Sequence, residues 1–114
     1  MSKSKADQAR LDQIHNMPCI CCQIEKRMQP FRTEAHHITD KGYRRLSGGD
    51  QASLPLCSFH HRGQLLNNCS TSRMVELYGP SLALSKKAFI AKYGTERELL
   101  SKVNELLGEP NEQR

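Results

Sequence analysis

At 114 residues the chain allows one small domain, but 37% hydrophobic residues, 5% aromatics and no Trp leave little apolar material for its core. Stabilisation from a bound metal is therefore expected. A formal charge of +5 and a pI near 9.1 favour an anionic partner such as nucleic acid, while the polar N-terminal stretch and the lack of any long apolar run argue against a secretory signal or a membrane span.

Residues 1–5 read as a basic tail, and Ala6 to Met17 as a short helix carrying Ala9, Leu11 and Ile14, closed by Pro18. Cys19-Ile20-Cys21-Cys22 follows as a compact turn. Thr33 to Ile38 suits an extended segment. Asp40 to Asp50, rich in Gly and charge, suits a long loop, and Ala52 to Leu56 suits a returning strand with Pro55 on its edge. A helix starting near Ser58 would put Cys57, His60 and His61 around its first turn.

The C-terminal region has clearer helical signals. Arg73 to Tyr78 stops at Gly79-Pro80, and Ser85 to Tyr93 stops at Gly94. Thr95 and Glu98 have capping-box spacing ahead of Leu99, Leu100, Val103, Leu106 and Leu107, which recur with helical period and are expected in the core. Gly108 and Pro110 close that helix, and residues 109–114 read as a second tail. The expected organisation is a single α+β domain over residues 6–108. Its metal-binding part covers about 19–68 and its C-terminal helices about 72–108.

Five cysteines in a reducing cytosol read as metal ligands or free thiols before disulfides. Cys19-x-x-Cys22 and Cys57-x-x-His60 supply four donors in two knuckle spacings, the set a closed tetrahedral zinc site requires, because residues three apart on a tight turn aim both donors at one point. Cys21 is an alternative, but a single intervening residue chelates less well. Cys69 lies apart from both pairs and suits a buried or half-buried thiol.

Three histidines then remain in adjacent pairs with the chemistry of a second site: His36 and His37 before the loop, and His61 beside His60. A neutral imidazole can take a proton from water near neutral pH, and two imidazoles can share a divalent ion. Neighbouring positions on a strand face opposite ways, which suits one ligand and one base at His36 and His37, or a hairpin with one histidine turned in and one out.

The pattern Ala35-His36-His37-Ile38, a Gly-containing loop, then Leu54-Pro55-Leu56-Cys57-Ser58-Phe59-His60-His61-Arg62 resembles the HNH nucleases, and in particular the phage recombination enhancement nucleases called Ref, whose activity depends on RecA. Tyr78-Gly79-Pro80-Ser81-Leu82-Ala83-Leu84 and Phe89 to Glu96 are also similar to that family. The resemblance runs from about Cys19 to Leu107. It implies a ββα-metal core with a structural zinc knuckle, flanked by several short helices.

The resemblance also implies that His36 and His61 hold a catalytic Mg2+, Mn2+ or Zn2+ ion and that His37 is the general base. The usual middle Asn is absent from Gly49-Asp50-Gln51-Ala52-Ser53; Asp50 takes its role in this reading, with Ser53 as the alternative. Lys41, Arg44, Arg45 and Arg62 are candidate phosphate contacts, and Tyr43 a candidate base-stacking group.

The activity so implied is hydrolysis of DNA, leaving 5′-phosphate and 3′-hydroxyl ends, in a phage or bacterial cytoplasm with a RecA filament as partner. The family's long basic N-terminal segment has only a short counterpart here, so independent cutting, another recruiting partner and weak cutting stay open. The rival reading is a non-catalytic zinc-stabilised module that binds nucleic acid or protein. A zinc deaminase would need His-x-Glu paired with Pro-Cys-x-x-Cys, which the chain lacks.

Overall fold

The computed structural model describes residues 4–108; the expectations for Pro110 and for the tail at 109–114 lie outside the described residues. Helix α1, Lys5–His15, is opened by Ser4, whose hydroxyl accepts from the Asp7 N–H, so residues 4 and 5, expected in the tail, cap and begin a helix. Leu11 and Ile14 are buried on its inner face. Arg10 is buried with them, at 2% exposure, and donates to Asn104 Oδ1 (2.8 Å) and the Ser53 carbonyl (3.0 Å).

The segment after Pro18 is a helix rather than only a turn. Cys19 occupies the N-cap of α2, Ile20–Glu25, so helical spacing places Cys19 and Cys22 one turn apart on the same side. Lys26 ends α2 in the left-handed conformation.

Strands β1, Thr33–His37, and β2, Ser53–Cys57, form a two-stranded antiparallel sheet in which His36 pairs with Leu54 and His37 with Ser53. The connection between them is more regular than its Gly-rich sequence suggests. It holds α3, Arg44–Ser47, and a 3-10 turn over Gly49–Ala52. The Ser47 hydroxyl donates to the Tyr43 carbonyl and accepts from the Lys41 N–H, closing the first part of the loop on itself. Gly48, at φ +122°, breaks the helix there.

Helix α4, Ser58–Arg62, begins at the residue after β2, with Cys57 as its N-cap. The chain continues through α5, Thr71–Tyr78, α6, Lys86–Tyr93, and α7, Glu96–Leu106. The capping box at the start of α7 is present in both directions: Thr95 Oγ1 accepts from the Glu98 N–H, and Glu98 accepts from the Thr95 N–H. Leu99, Leu100 and Val103 are buried, but Leu106, expected in the core, is 57% exposed because it lies on the outer side of the final turn; Leu107 is half-buried.

One core joins these elements: Ile14 and Ile20, Leu54 and Leu56 from β2, Phe59, Met74, Phe89, and Leu99 and Leu100 from α7. Full burial of each such side chain contributes about 1.5–3 kcal/mol. The arrangement is α+β, and among the described residues no helix is long and apolar enough to cross a membrane.

Candidate metal centres and histidine cluster

Cys19 and Cys22 come from the start of α2, Cys57 from the end of β2, and His60 from α4. Their donor atoms lie within 4.8 Å of one another, and all four residues are buried. His60 Nδ1 is 3.5 Å from Cys19 Sγ, 3.7 Å from Cys22 Sγ and 3.3 Å from Cys57 Sγ. Ordinary Zn–S and Zn–N lengths in a tetrahedron put such a nitrogen and sulfur about 3.6 Å apart. The donor set therefore fits a zinc ion in chemistry and spacing. Cys21 is also buried but stands outside the set, and Cys69 is a half-buried thiol.

The four donors share protons unequally. Hydrogen bonds from Cys21, Cys22 and Cys57 push the Cys19 pKa far below the usual thiol range, and Cys22 is pushed up by Cys19, Cys57 and burial. Against the effect of its burial, His60 is raised to about 10 by Cys19 and Cys57. His60 Nε2 lies 2.8 Å from the Tyr78 carbonyl, so an Nε2–H donates there and Nδ1 is left for the sulfurs. The Tyr93 hydroxyl donates to the same carbonyl, at 3.1 Å, and to Glu25, at 2.7 Å. The neighbouring Gly79 has φ +88°, and a Cβ there would collide with the Tyr93 oxygen. Glycine is required for the chain to pass this close while presenting the Tyr78 carbonyl to His60.

The other three histidines lie at the sheet and α4. His36 and His61 meet edge to face, with ring centroids 5.0 Å apart. Each of the three has its own carboxylate: His36 Nε2 is 2.5 Å from Glu96 Oε2, His37 Nε2 is 2.6 Å from Asp50 Oδ1, and His61 Nδ1 is 2.8 Å from Glu34 Oε1. Alternation along β1 sends His36 towards α4 and α7 and His37 towards the 3-10 turn. Ser53 donates its hydroxyl to the Asp50 carbonyl and supports the turn that presents the Asp50 carboxylate.

Burial, opposed by the Glu34 hydrogen bond and reinforced by His36, lowers the His61 pKa and favours the neutral imidazole. Glu34 itself is held down at about 2, first by Arg62, with burial opposing and His61 and Ser58 assisting. Burial would raise the Glu96 carboxyl, but the His36 hydrogen bond and charge, with Lys86 and the Thr39 N–H, bring it below the ordinary range. A pair of imidazoles suits a divalent ion with open positions better than a closed structural site. Among the described residues, the Cys/His set is the only group of three or more ligand-type side chains whose donors converge this closely.

Of the expected phosphate contacts, Lys41, Arg44 and Arg45 are exposed on the connection between the strands, as is Tyr43. Arg62 is exposed too, but its guanidinium forks onto Glu34 at 2.9 and 2.8 Å. Sequence reasoning passed over Glu34 and Glu96. Glu34 stands two residues before His36 on the same strand, and period-two alternation places them on one face. Glu96 carried no signal beyond that of an acidic residue in the first turn of a helix.

The pattern of a protein family described as "Recombination enhancement, RecA-dependent nuclease" matches residues 4–108 of the chain. No curated protein matches it.

Proposed function

The chain belongs to the family of RecA-dependent recombination enhancement nucleases, and from that premise we propose that it is an HNH-type endonuclease hydrolysing DNA phosphodiester bonds with a divalent ion, in phage or bacterial recombination and in concert with RecA. The observation that carries this reading is the set of three histidines at one sheet and helix, each with its own carboxylate. Surface histidines rarely need such partners, whereas ligands and bases do.

In this reading His37 accepts the proton of the attacking water at Nδ1. Asp50 accepts the Nε2–H bond, fixes the ring and stabilises the imidazolium that forms. His36 and His61 hold the ion, which when bound would grip a phosphate oxygen and offset charge developing on the departing 3′-oxygen. Lys41, Arg44 and Arg45 contact phosphates flanking the scissile bond. The group of Cys19, Cys22, Cys57 and His60 holds a structural zinc that fixes α4 against the end of β2 and so sets the position of His61.

The test is cleavage of supercoiled plasmid and of displacement loops with Mg2+ or Mn2+, with and without a RecA filament. His37→Ala should lose about 10²- to 10⁴-fold in rate while keeping fold and zinc. Undiminished cutting by His37→Ala would remove the proposed base, and a wild type inert under every condition would favour a non-catalytic binding module.

A further inference from the structure

We infer that Glu96 is a positioning residue of the second metal centre, holding His36 in the tautomer that leaves Nδ1 to the ion. This rests on the reading of His36 and His61 as its ligands. Glu96 lies in the first turn of α7 and is only 4% exposed, with Oε2 at 2.5 Å from His36 Nε2 across 60 residues of sequence. Burial of a carboxylate is costly unless the group is paired and hydrogen-bonded, so its inward orientation calls for a reason.

Helix capping does not supply that reason. Thr95 and Glu98 already form the reciprocal cap, and Glu98 does so from an exposed position. An acidic residue serving only the helix dipole could stay equally exposed. Glu96 turns inward instead, where the Thr39 N–H and the imidazole of His36 meet its carboxylate.

The contact is a hydrogen bond rather than a shared coordination shell, because two ligands of one ion stand about 3 Å or more apart at ordinary metal–ligand lengths. The Nε2 proton then belongs between His36 and Glu96, and Nδ1 is the donor left for a cation. Glu34 acts on His61 through the opposite ring nitrogen, Nδ1, which leaves Nε2 there. Two neighbouring imidazoles are thus each fixed by a carboxylate from a different element, the usual way in which ligand histidines are oriented.

The turn that carries Glu96 is held by its neighbour as well. The adjacent Arg97 forks onto Asp40, with both distances 2.9 Å, and donates to the Ser47 carbonyl at 3.0 Å. The first turn of α7 therefore holds both the loop after β1 and the His36 imidazole.

The experiment is calorimetric titration of the zinc-loaded protein with Mn2+, comparing wild type, Glu96→Gln and His36→Ala, with zinc content and melting temperature recorded for each. Glu96→Gln should weaken Mn2+ binding about 10- to 100-fold and still carry one zinc per chain. Nitrogen-15 NMR of the unaltered protein above neutral pH gives a second reading that needs no variant to fold. The His36 ring should carry its proton on Nε2.

Mn2+ binding by Glu96→Gln within about twofold of wild type, with His36→Ala impaired, overturns the role of Glu96 alone. A His36 proton on Nδ1 overturns it as well. Equal binding by wild type and His36→Ala, or none by wild type, brings down the second metal centre and this inference together.

Discussion

Replacing Cys57 with Ser tests whether the Cys/His group is the structural keystone. Its donors come from the start of α2, from β2 and from α4, and all four residues are 0–2% exposed, so a zinc ion held there would tie three elements from the middle of the core. Structural zinc contributes about 10–16 kcal/mol in small zinc modules. A whole domain is typically stable by only about 5–15 kcal/mol, so loss of the ion removes most or all of the margin. Even a partial loss of about 3–5 kcal/mol would lower the melting temperature by roughly 15 °C or more.

The assay pairs zinc release to a coloured chelator with a circular dichroism melt. Cys57→Ser should carry little zinc and melt early or not cooperatively. Cys21→Ala is the control: Cys21 is buried to the same degree but lies outside the donor set, so it should keep one zinc and lose only about 1 kcal/mol. A Cys57→Ser protein that holds one zinc per chain and melts with Cys21→Ala would refute the assignment.

Other outcomes follow from the same geometry. Glu34 titrates near 2 because Arg62, His61 and Ser58 favour its charged form; its stabilising effect is present above the unfolded value near 4.5 and is lost as pH falls towards 2. Arg62 is 59% exposed, so solvent screens the pair and its contribution is small, and the stability difference between wild type and Arg62→Ala should close as the solution is acidified; a difference unchanged at low pH would contradict this. Phe89→Ala removes a fully buried ring beside Tyr93 and should cost about 3–5 kcal/mol by urea unfolding. Replacing Lys41, Arg44 or Arg45 with Ala should each reduce the salt dependence of DNA affinity by about one unit of slope, equally across sequences, with no effect on zinc.

What could be read in the sequence was what depends on short spacings. Cys19-x-x-Cys22 and Cys57-x-x-His60 carry their geometry within one helical turn each, and Thr95 with Glu98 announces a cap without outside help. The sheet was legible for the same reason, within a residue at the strand ends. The helix and 3-10 turn between the strands were not, because Gly and charge signal a loop while local bonds of Ser47 and the Gly48 break shape it. Arg10 and Glu96 escaped notice because charged residues are ordinarily exposed, and their burial is decided by partners 94 and 60 residues away.

The grip of α7 on His36 and on the strand connection also imposes an order of assembly during synthesis. All four members of the Cys/His group have been made by His60, whereas Glu96 and Arg97 are made later, sixty residues after His36 in the case of Glu96. A growing chain can therefore bring Cys19, Cys22, Cys57 and His60 together while His36 still lacks the carboxylate that meets its imidazole. On the proposed reading, competence to cut would follow the folding of a late helix, and an unfinished chain would be kept from being an active one.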